Sequence, residues 1–303
     1  SFSLITLIAF VRHKKEKSRR GFLSFIIYIS FIAALLTKEN ALVLPLLMIV
    51  VLSYFRSNPR RGTVTIVGSC AAIAAGFFLI KIFALHQWRH GDTQIPLSGA
   101  GSFSISVVVK SIATYCSMLT FPFTFSLDRC LTVPASHAAL ALAVTVVALI
   151  VLGFVTVREL LRGKPVGFAL AFIFVSLLPA CNIVLLAGRP IAEQRLYLPS
   201  VGFCLLAALL FQSIGGQTRR RALTALCIVP ILSCYLLITV KRTDCWLSEQ
   251  VLWERTLEVS PTSWRSRLFL ASLYGRQGRY AEAVCLLKQV LRSCSPRPAR
   301  CIQ

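Results

Sequence analysis

Residues 188–203 have the sequence Gly188-Arg-Pro-Ile-Ala-Glu-Gln-Arg-Leu-Tyr-Leu-Pro-Ser-Val-Gly-Phe203 and separate two long apolar runs. Ionisable side chains are costly close to hydrocarbon, so a charged cluster between two membrane spans is a candidate functional site. The alternative is that Arg189, Glu193 and Arg195 are ordinary residues at the level of the lipid headgroups, where charges are common. On either interpretation, the segment marks the point at which one span ends and the next begins.

The composition predicts an integral membrane protein. The chain has 303 residues, 56% of them hydrophobic, with a formal net charge of +22 and a mean hydropathy of +0.74. Apolar runs of about 20 residues can cross a bilayer core of about 30 Å. The basic residues lie in short loops between such runs, as is typical of cytoplasmic loops. The charge therefore reflects membrane topology, and since no nucleic-acid-binding motif accompanies it, we predict no nucleic-acid partner.

The apolar runs predict an all-α fold, a polytopic helix bundle of about eight spans over residues 1–240. The run at 21–55 is too long for one span and must turn back near Lys38. The remaining spans are placed at 1–11, 64–84, 136–157, 166–186, 196–212 and 222–240. We expect residues 85–101 to form an outer loop and residues 104–123 to form an interfacial helix on the outer side. This arrangement puts the strongly basic loops on one face and the tail, residues 241–303, on the opposite face.

The tail predicts an extracytoplasmic helical repeat domain. Small and aromatic residues recur from Trp264 onward at the spacing of tetratricopeptide (TPR) repeats, namely Leu270, Ala271, Tyr274, Gly278, Tyr280 and Ala283. Gly278 suits the turn between two helices because glycine adopts left-handed backbone angles. Residues 246–260 are typical of the second helix of a preceding half-repeat. The chain begins at Ser1 within an apolar run, so we expect its true N-terminus to lie upstream.

Three stretches, in this order, resemble one family. Thr37-Lys-Glu-Asn-Ala-Leu-Val-Leu-Pro45 resembles its Lys-Glu motif, and Phe121-Pro-Phe-Thr-Phe-Ser-Leu-Asp128 resembles its Phe-Pro…Leu-Ser-x-Asp segment. Ile191-Ala-Glu-Gln-Arg-Leu-Tyr-Leu-Pro-Ser-Val-Gly-Phe203 resembles its Ala-Glu-Arg-x-Leu-Tyr-x-Pro-Ser-x-Gly-Phe signature. With the TPR-like tail after the last span, the chain is similar to the transmembrane and TPR-repeat (TMTC-type) proteins and their bacterial relatives. These are related to protein O-mannosyltransferases of the GT-C fold.

The resemblance implies a glycosyltransferase that moves a sugar, expected to be mannose, from a polyprenyl- or dolichyl-phosphate donor to protein hydroxyls on the extracytoplasmic side. The membrane is then the bacterial inner membrane with a periplasmic tail, or the endoplasmic reticulum membrane with a lumenal one. The tail would present the acceptor or partner protein. In this family type the catalytic carboxylate usually lies on the first outer loop, which we expect to lie upstream of Ser1.

A lipid-phosphate leaving group needs positive charge at the outer face. The residues predicted to bind the donor phosphate are Lys38, Arg189, Arg195 and Tyr197. Glu39 and Glu193 are predicted to orient those cations or the acceptor, with a simple salt bridge as the alternative for either. The acceptor hydroxyl needs a base, for which the chain itself offers only Asp92 and Asp128 as outer-face candidates.

We predict no metal and no cofactor besides the lipid-linked sugar. The one metal alternative is His86 and His90, four residues apart near Asp92, as ligands on one helix face. Two other functions stay open. A non-catalytic scaffold would use the tail to recruit an extracytoplasmic partner, and a transporter or lipid flippase would show two related halves with interrupted helices, which the hydropathy pattern lacks.

Overall fold

The computed structural model describes residues 1–16, 18–56, 61–91, 105–120, 126–129, 138–181, 191–213 and 217–294. The secondary structure over these ranges is helical, apart from an isolated antiparallel bridge between Arg129 and Ile191. The prediction of an all-α fold is therefore confirmed.

Twelve α-helices lie within the described ranges. In chain order they are α1 (Phe2–Lys15), α2 (Arg20–Thr37), α3 (Leu44–Tyr54), α4 (Arg61–Gly91), α5 (Ile105–Thr120), α6 (Ala138–Leu161), α7 (Pro165–Leu177), α8 (Tyr197–Ser213), α9 (Gln217–Thr243), α10 (Glu249–Val259), α11 (Trp264–Arg276) and α12 (Tyr280–Cys294). Short 3-10 helices cover Glu39–Val43, Leu178–Ala180, Glu193–Leu196 and Asp244–Trp246.

The chain divides into two compact units. The first consists of Ser1–Gln94, Ser136–Val184 and Arg195–Ser213, and the second of Ile95–Ala135, Leu185–Gln194 and Ile214–Gln303. The first unit therefore holds α1 to α4 and α6 to α8, and the second holds α5 and α9 to α12. The predicted division into a membrane domain at 1–240 and a tail domain at 241–303 stays a prediction.

Four helices among the described residues are long and apolar enough to cross a membrane: Arg20–Thr37, Arg61–Ala84, Ala143–Leu161 and Glu193–Gln212. At most a third of the residues in each of these segments is buried within the protein. Large apolar side chains such as Phe25, Ile80 and Phe154 are 60% to 70% exposed. Such surfaces need a lipid environment, and the prediction of a membrane protein is confirmed. The number of spans and their orientation stay predictions.

The break predicted near Lys38 is present. Helix α2 ends at Thr37, Lys38 is extended with φ −163°, and the 3-10 helix Glu39–Val43 leads into α3. Pro45 lies in the first turn of α3, where its missing N–H costs nothing. This turn positions Lys38 and Glu39 beside one another in the first unit.

One sequence prediction about helix ends is wrong, and a second extends beyond the described residues. Residues 85–91 were predicted to begin a loop, but α4 continues to Gly91, since residues 85–90 contain no proline or glycine and each added residue gains a backbone hydrogen bond. The apolar run 166–186 was predicted to be one span. Helix α7 ends at Leu177 and a 3-10 helix covers Leu178–Ala180, whereas residues 182–186 lie outside the described residues, so this span stays a prediction. Pro179 lies in that 3-10 helix, where proline disfavours a continuing α-helix.

Helix α8 approaches α7 closely at Gly202. A Cβ atom at this position would lie 2.9 Å from the backbone oxygen of Ala169 and from a side-chain carbon of Ile173. Glycine is needed here because any larger residue would force the two helices apart. The close approach fixes the start of α8, and with it Arg195, against the rest of the first unit.

The described part of the tail contains α10, α11 and α12, which pack on one another in the second unit. Helix α10 packs on α11, and α11 packs on α12. Trp253 of α10 stacks on Phe269 of α11 with ring centroids 4.5 Å apart. Gly278, between α11 and α12, has φ +76°, so the predicted glycine turn is confirmed. The assignment of these hairpins to TPR repeats stays a prediction.

Candidate functional site

Lys38 and Arg195, two of the predicted phosphate-binding residues, come together in the first unit. Arg195 lies on the 3-10 helix Glu193–Leu196 and is 7% exposed, whereas Lys38 is half-buried. Burial is the largest cause of a lowered pKa at Lys38, the charge of Arg195 lowers it further, and Glu39 acts in the opposite direction. The positive charges of Lys38 and Arg195 therefore lie close together in a partly desolvated environment.

A third cation, Lys81, belongs to this group and was not predicted from the sequence. Lys81, from α4, donates a hydrogen bond to the Glu39 carboxylate at 2.7 Å, with both side chains about a quarter exposed or less. A lone lysine in the apolar run Phe77–Phe83 was the available signal, because a charge at such a position needs a partner or a function. We call Lys38, Glu39, Lys81 and Arg195 the Lys38 cluster.

The Lys38 cluster is suited to binding an anion. Glu39 is engaged with Lys81, and the Lys38 ammonium makes no hydrogen bond or ion pair with any other described residue. An ammonium is a compact point charge and a guanidinium offers a planar fork of donors, which together suit the oxygens of a phosphate. The arrangement of Lys38 beside Arg195 would neutralise charge on such a ligand.

Of the other two predicted phosphate ligands, the structure describes only Tyr197. Arg189 lies outside the described residues. Tyr197 is the first residue of α8 and is 55% exposed. The 3-10 helix Glu193–Leu196 precedes it and forms the first turn of the apolar segment.

Glu193, the second predicted orienting carboxylate, belongs to the second unit and holds two other segments. Its Oε1 accepts a hydrogen bond from the backbone N–H of Ser126 at 2.6 Å, and its Oε2 pairs with the guanidinium of Arg242 in α9. The carboxylate is 15% exposed. Glu193 therefore ties the segment at 126–129 to the end of α9.

Asp128, one of the two weak candidates for a base, is a buried partner of the tail. Its Oδ2 accepts a hydrogen bond from Ser263 at 2.8 Å, and its Oδ1 lies 3.6 Å from a guanidinium nitrogen of Arg265. Ser263 is the N-cap of α11 and also accepts from the N–H of Ser266. A carboxylate at a helix N-terminus is favourable. These contacts indicate that Asp128 stabilises the start of α11.

Two further contacts hold the motif at 191–192 in the second unit. The backbone N–H of Ala192 donates to the hydroxyl of Tyr115 at 3.0 Å, and the Tyr115 ring is fully buried in α5. Ile191 forms the isolated bridge with Arg129. The segment at 126–129 and the Ile-Ala-Glu part of the central motif therefore lie side by side.

No group of three or more metal-binding side chains occurs among the residues that the structure describes. Asp92 and the side chains of His86 and His90 lie outside them. Helix α4 does extend over both histidines, so their spacing is helical.

Curated proteins in animals resemble this chain. It is 33% identical to "Protein O-mannosyl-transferase Tmtc2" of Drosophila melanogaster over 125 residues, which is 41% of this chain and 13% of that protein. It is 34% identical to "Protein O-mannosyl-transferase TMTC4" of Homo sapiens over 100 residues, 33% of this chain and 14% of that protein. It is 30% identical to "Protein O-mannosyl-transferase TMTC1" of Mus musculus over 242 residues, 73% of this chain and 26% of that protein.

The chain thus spans between 13% and 26% of the length of these curated relatives. No family model matches the chain, and no solved structure matches it. The similarity to the mouse protein covers most of the chain, and the family that the three motifs resembled is confirmed. The chain is a relative of the TMTC-type protein O-mannosyl-transferases.

Proposed function

We propose that the intact protein transfers mannose from a polyprenyl- or dolichyl-phosphate donor to hydroxyl groups of proteins on the extracytoplasmic side of the membrane. The names of the relatives support the mannosyl chemistry. The single structural observation that carries the donor class is the Lys38 cluster, where Lys38 and Arg195 are partly or fully buried beside each other. A lipid-linked phosphate supplies the negative charge that such a pair can bind.

The proposed transfer is a substitution at the anomeric carbon of the sugar. The acceptor hydroxyl oxygen forms a bond to that carbon, the bond from the carbon to the phosphate oxygen breaks, and a carboxylate base takes the hydroxyl proton. The polyprenyl phosphate leaves with additional negative charge. Lys38 and Arg195 stabilise that charge in the transition state, and the Glu39–Lys81 pair holds the turn from which Lys38 projects.

The contacts of Asp128 make it a poor base for this reaction, because Ser263 and Arg265 occupy its two oxygens. The base is therefore assigned to none of the described carboxylates. In the proposed topology, residues 1–240 lie in the bacterial inner membrane or the endoplasmic reticulum membrane. Residues 241–303 then form a periplasmic or lumenal TPR-like domain that presents the acceptor.

A transfer assay in lipid nanodiscs tests the proposal. The full-length protein receives a short-chain polyprenyl phosphate carrying radiolabelled mannose, together with an acceptor protein. Replacing Arg195 by Ala is expected to lower the rate by about 100-fold or more, the usual cost of losing one oxyanion-stabilising group. Lys38→Gln, at a half-buried position that tolerates change better, is expected to lower it as well. Arg255→Ala, at an exposed ion pair of α10, is the control and should keep the native rate.

Two results would count against the proposal. Native rates for both Lys38→Gln and Arg195→Ala would remove the Lys38 cluster from the reaction. Absence of mannose transfer by a folded native protein, over a panel of polyprenyl and dolichyl donors, would favour the scaffold function instead. Thermal unfolding of each variant in the same nanodiscs separates loss of activity from loss of fold.

One observation favours the scaffold as a second candidate. Helix α12 carries apolar side chains that are 40% to 70% exposed and spaced along one face: Tyr280, Val284, Leu287 and Leu291. This face suits an extracytoplasmic protein partner, or a further helical repeat. Replacing Val284 and Leu291 by Asp should abolish binding of that partner and leave transfer to a free peptide acceptor unchanged. Unaltered partner binding by this double variant would exclude α12 as the docking face.

A further inference from the structure

A cavity of about 420 Å³ opens in the first unit at the starts of α2 and α4. It lies at the opposite end of α2 from Lys38, so it is separate from the Lys38 cluster. The end of α1 contributes His13, the first turns of α2 contribute Arg20 and Ser24, and the first turn of α4 contributes Thr63. Among the described residues, its lining contains hydroxyl groups and two nitrogen-bearing side chains but no carboxylate.

Two polar atoms in this lining are buried without a partner. The Nε of Arg20 and the Nδ1 of His13 make no hydrogen bond in the described protein, and the His13 side chain belongs to a residue only 6% exposed. A guanidinium N–H can only donate, and a buried donor without an acceptor is unfavourable. The Arg20 N–H therefore needs an acceptor that no residue described by the structure supplies.

The charge at the cavity comes from Arg20. Burial, and then the Arg20 charge, lower the pKa of His13, so its ring is neutral at pH 7. A neutral imidazole provides one N–H donor and one acceptor. The cavity thus combines a permanent cation with a neutral hydrogen-bonding ring.

Two long helices direct their N-terminal ends toward the same space. Arg20 and Gly21 begin the 18-residue helix α2, whose N-cap Arg19 forms no side-chain cap, and Gly62 and Thr63 lie in the first turn of the 31-residue α4. The N–H groups of a first turn have no partner within the helix, and the helix dipole favours an anion there. A Cβ atom added at Gly21 or at Gly62 would meet nothing within 4 Å, so the backbone is open to a ligand.

We propose that this cavity binds a phosphate group, carried either by the headgroup of an anionic phospholipid or by a soluble phosphate. Arg20 supplies the charge-assisted hydrogen bonds, and the first-turn N–H groups of α2 and α4 supply the others. Phe22 and Phe25, on the turns of α2 next to Arg20, are 64% and 60% exposed and would lie against the acyl chains if the source is a lipid. The site is independent of the proposed transferase reaction, since it shares no residue with the Lys38 cluster.

Binding is measured on the full-length protein with two probes. Native mass spectrometry after release from detergent compares retention of phosphatidylglycerol with retention of phosphatidylcholine, and calorimetry measures binding of inorganic phosphate. Arg20→Gln should weaken retention or binding by about tenfold or more, the effect of losing a charge-assisted hydrogen bond. Arg19→Gln is the matched control, because Arg19 is the neighbouring arginine, is exposed and does not line the cavity.

Gly62→Val fills the opening of the cavity without removing a charge, and it should weaken binding as Arg20→Gln does. With two variants, the proposal can still be tested if one of them folds poorly. Preferential retention of phosphatidylglycerol that is lost in both variants supports a lipid headgroup. Binding of inorganic phosphate that is lost in both variants supports a soluble phosphate. Equal binding by the native protein, Arg20→Gln and Gly62→Val for both probes would overturn the proposal and leave the cavity to water.

Discussion

Replacing Asp128 by Ala should loosen the tail from the segment at 126–129. The substitution removes a buried hydrogen bond to a charged acceptor, leaves the Ser263 hydroxyl without that acceptor, and removes the ion-pair partner of Arg265. Hydrogen bonds to charged groups contribute about 1.5 to 3 kcal/mol. A guanidinium nitrogen of Arg265, whose side chain is 17% exposed, lies 3.6 Å from Oδ1 of Asp128. This ion pair therefore contributes less to stability than the hydrogen bond does. We expect a loss of about 2 to 4 kcal/mol in the free energy of opening of α11.

Amide hydrogen exchange in nanodiscs measures this loss directly. When opening and closing are fast relative to exchange, the protection of α11 amides reports the free energy of local opening. A loss of about 2 to 4 kcal/mol corresponds to protection that is lower by about 30-fold to about 900-fold. Asp128→Asn keeps an oxygen that can accept from Ser263 but loses the charge, so its effect should be smaller.

Glu258→Gln is the control for this experiment. Glu258 is a carboxylate of the same unit that pairs with Arg255, but both side chains are more than 60% exposed. Exposed ion pairs contribute little, so α11 protection should stay within about twofold of native. Protection in Asp128→Ala that equals protection in Glu258→Gln would refute the structural role of Asp128.

Three other predictions follow from particular residues. Gly202→Val should destabilise the first unit by about 1 to 3 kcal/mol in chemical unfolding, because the added atoms would overlap Ala169 and Ile173; an unchanged unfolding midpoint would contradict the close approach of α7 and α8. Gly278→Ala should cost about 1 to 2 kcal/mol in the same assay, because its φ of +76° is unfavourable for L-residues, and native stability would show that the turn differs. Raising the pH toward 10.5 should weaken polyprenyl phosphate binding in the native protein but not in Lys38→Arg, because burial and then Arg195 lower the pKa of Lys38 below 10.5. Between the lowered pKa of Lys38 in the folded protein and 10.5, the unfolded chain binds more protons than the folded protein, so stability should rise with pH across that window. Identical pH profiles of phosphate binding for the native protein and Lys38→Arg would exclude Lys38 from the binding site.

Polar residues and glycine in the sequence correctly predicted two helix boundaries. The polar residues at 38–40 marked the break after α2, and Gly278 marked the turn before α12. The hydropathy pattern did not predict the 3-10 turn at Pro179, because the apolar run continues beyond this proline. The helical extension of α4 to Gly91 was missed because polar residues were taken as a sign of a loop.

The pairing of charged residues could not be deduced from the sequence. Glu39 was considered a salt-bridge partner, but its partner Lys81 is 42 residues away on another helix. Asp128 was considered a candidate base because it was predicted to lie on the outer face, whereas its partner Ser263 is 135 residues away. Such contacts depend on how helices pack, and residue type and spacing carry no information about that.

Glu193 and Arg195, two charged residues of the segment 188–203, belong to different units. Glu193 belongs to the second unit and pairs with Arg242, whereas Arg195 belongs to the first unit near Lys38. In the sequence they looked like one charged cluster. Both lie in the 3-10 helix Glu193–Leu196, and the contacts of Glu193 lie with Ser126 and Arg242.

The dissociation constant of a short-chain polyprenyl phosphate is the measurement that tests the Lys38 cluster most directly. It is determined by titration of the native protein in nanodiscs, of Lys38→Ala, of Arg195→Ala, and of the double variant, with Arg255→Ala as the control. If both cations contact the phosphate, each single variant should raise the dissociation constant by about tenfold or more. The double variant should then depart from the product of the two single effects, because the residues share one ligand. Native affinity in the double variant would contradict the account.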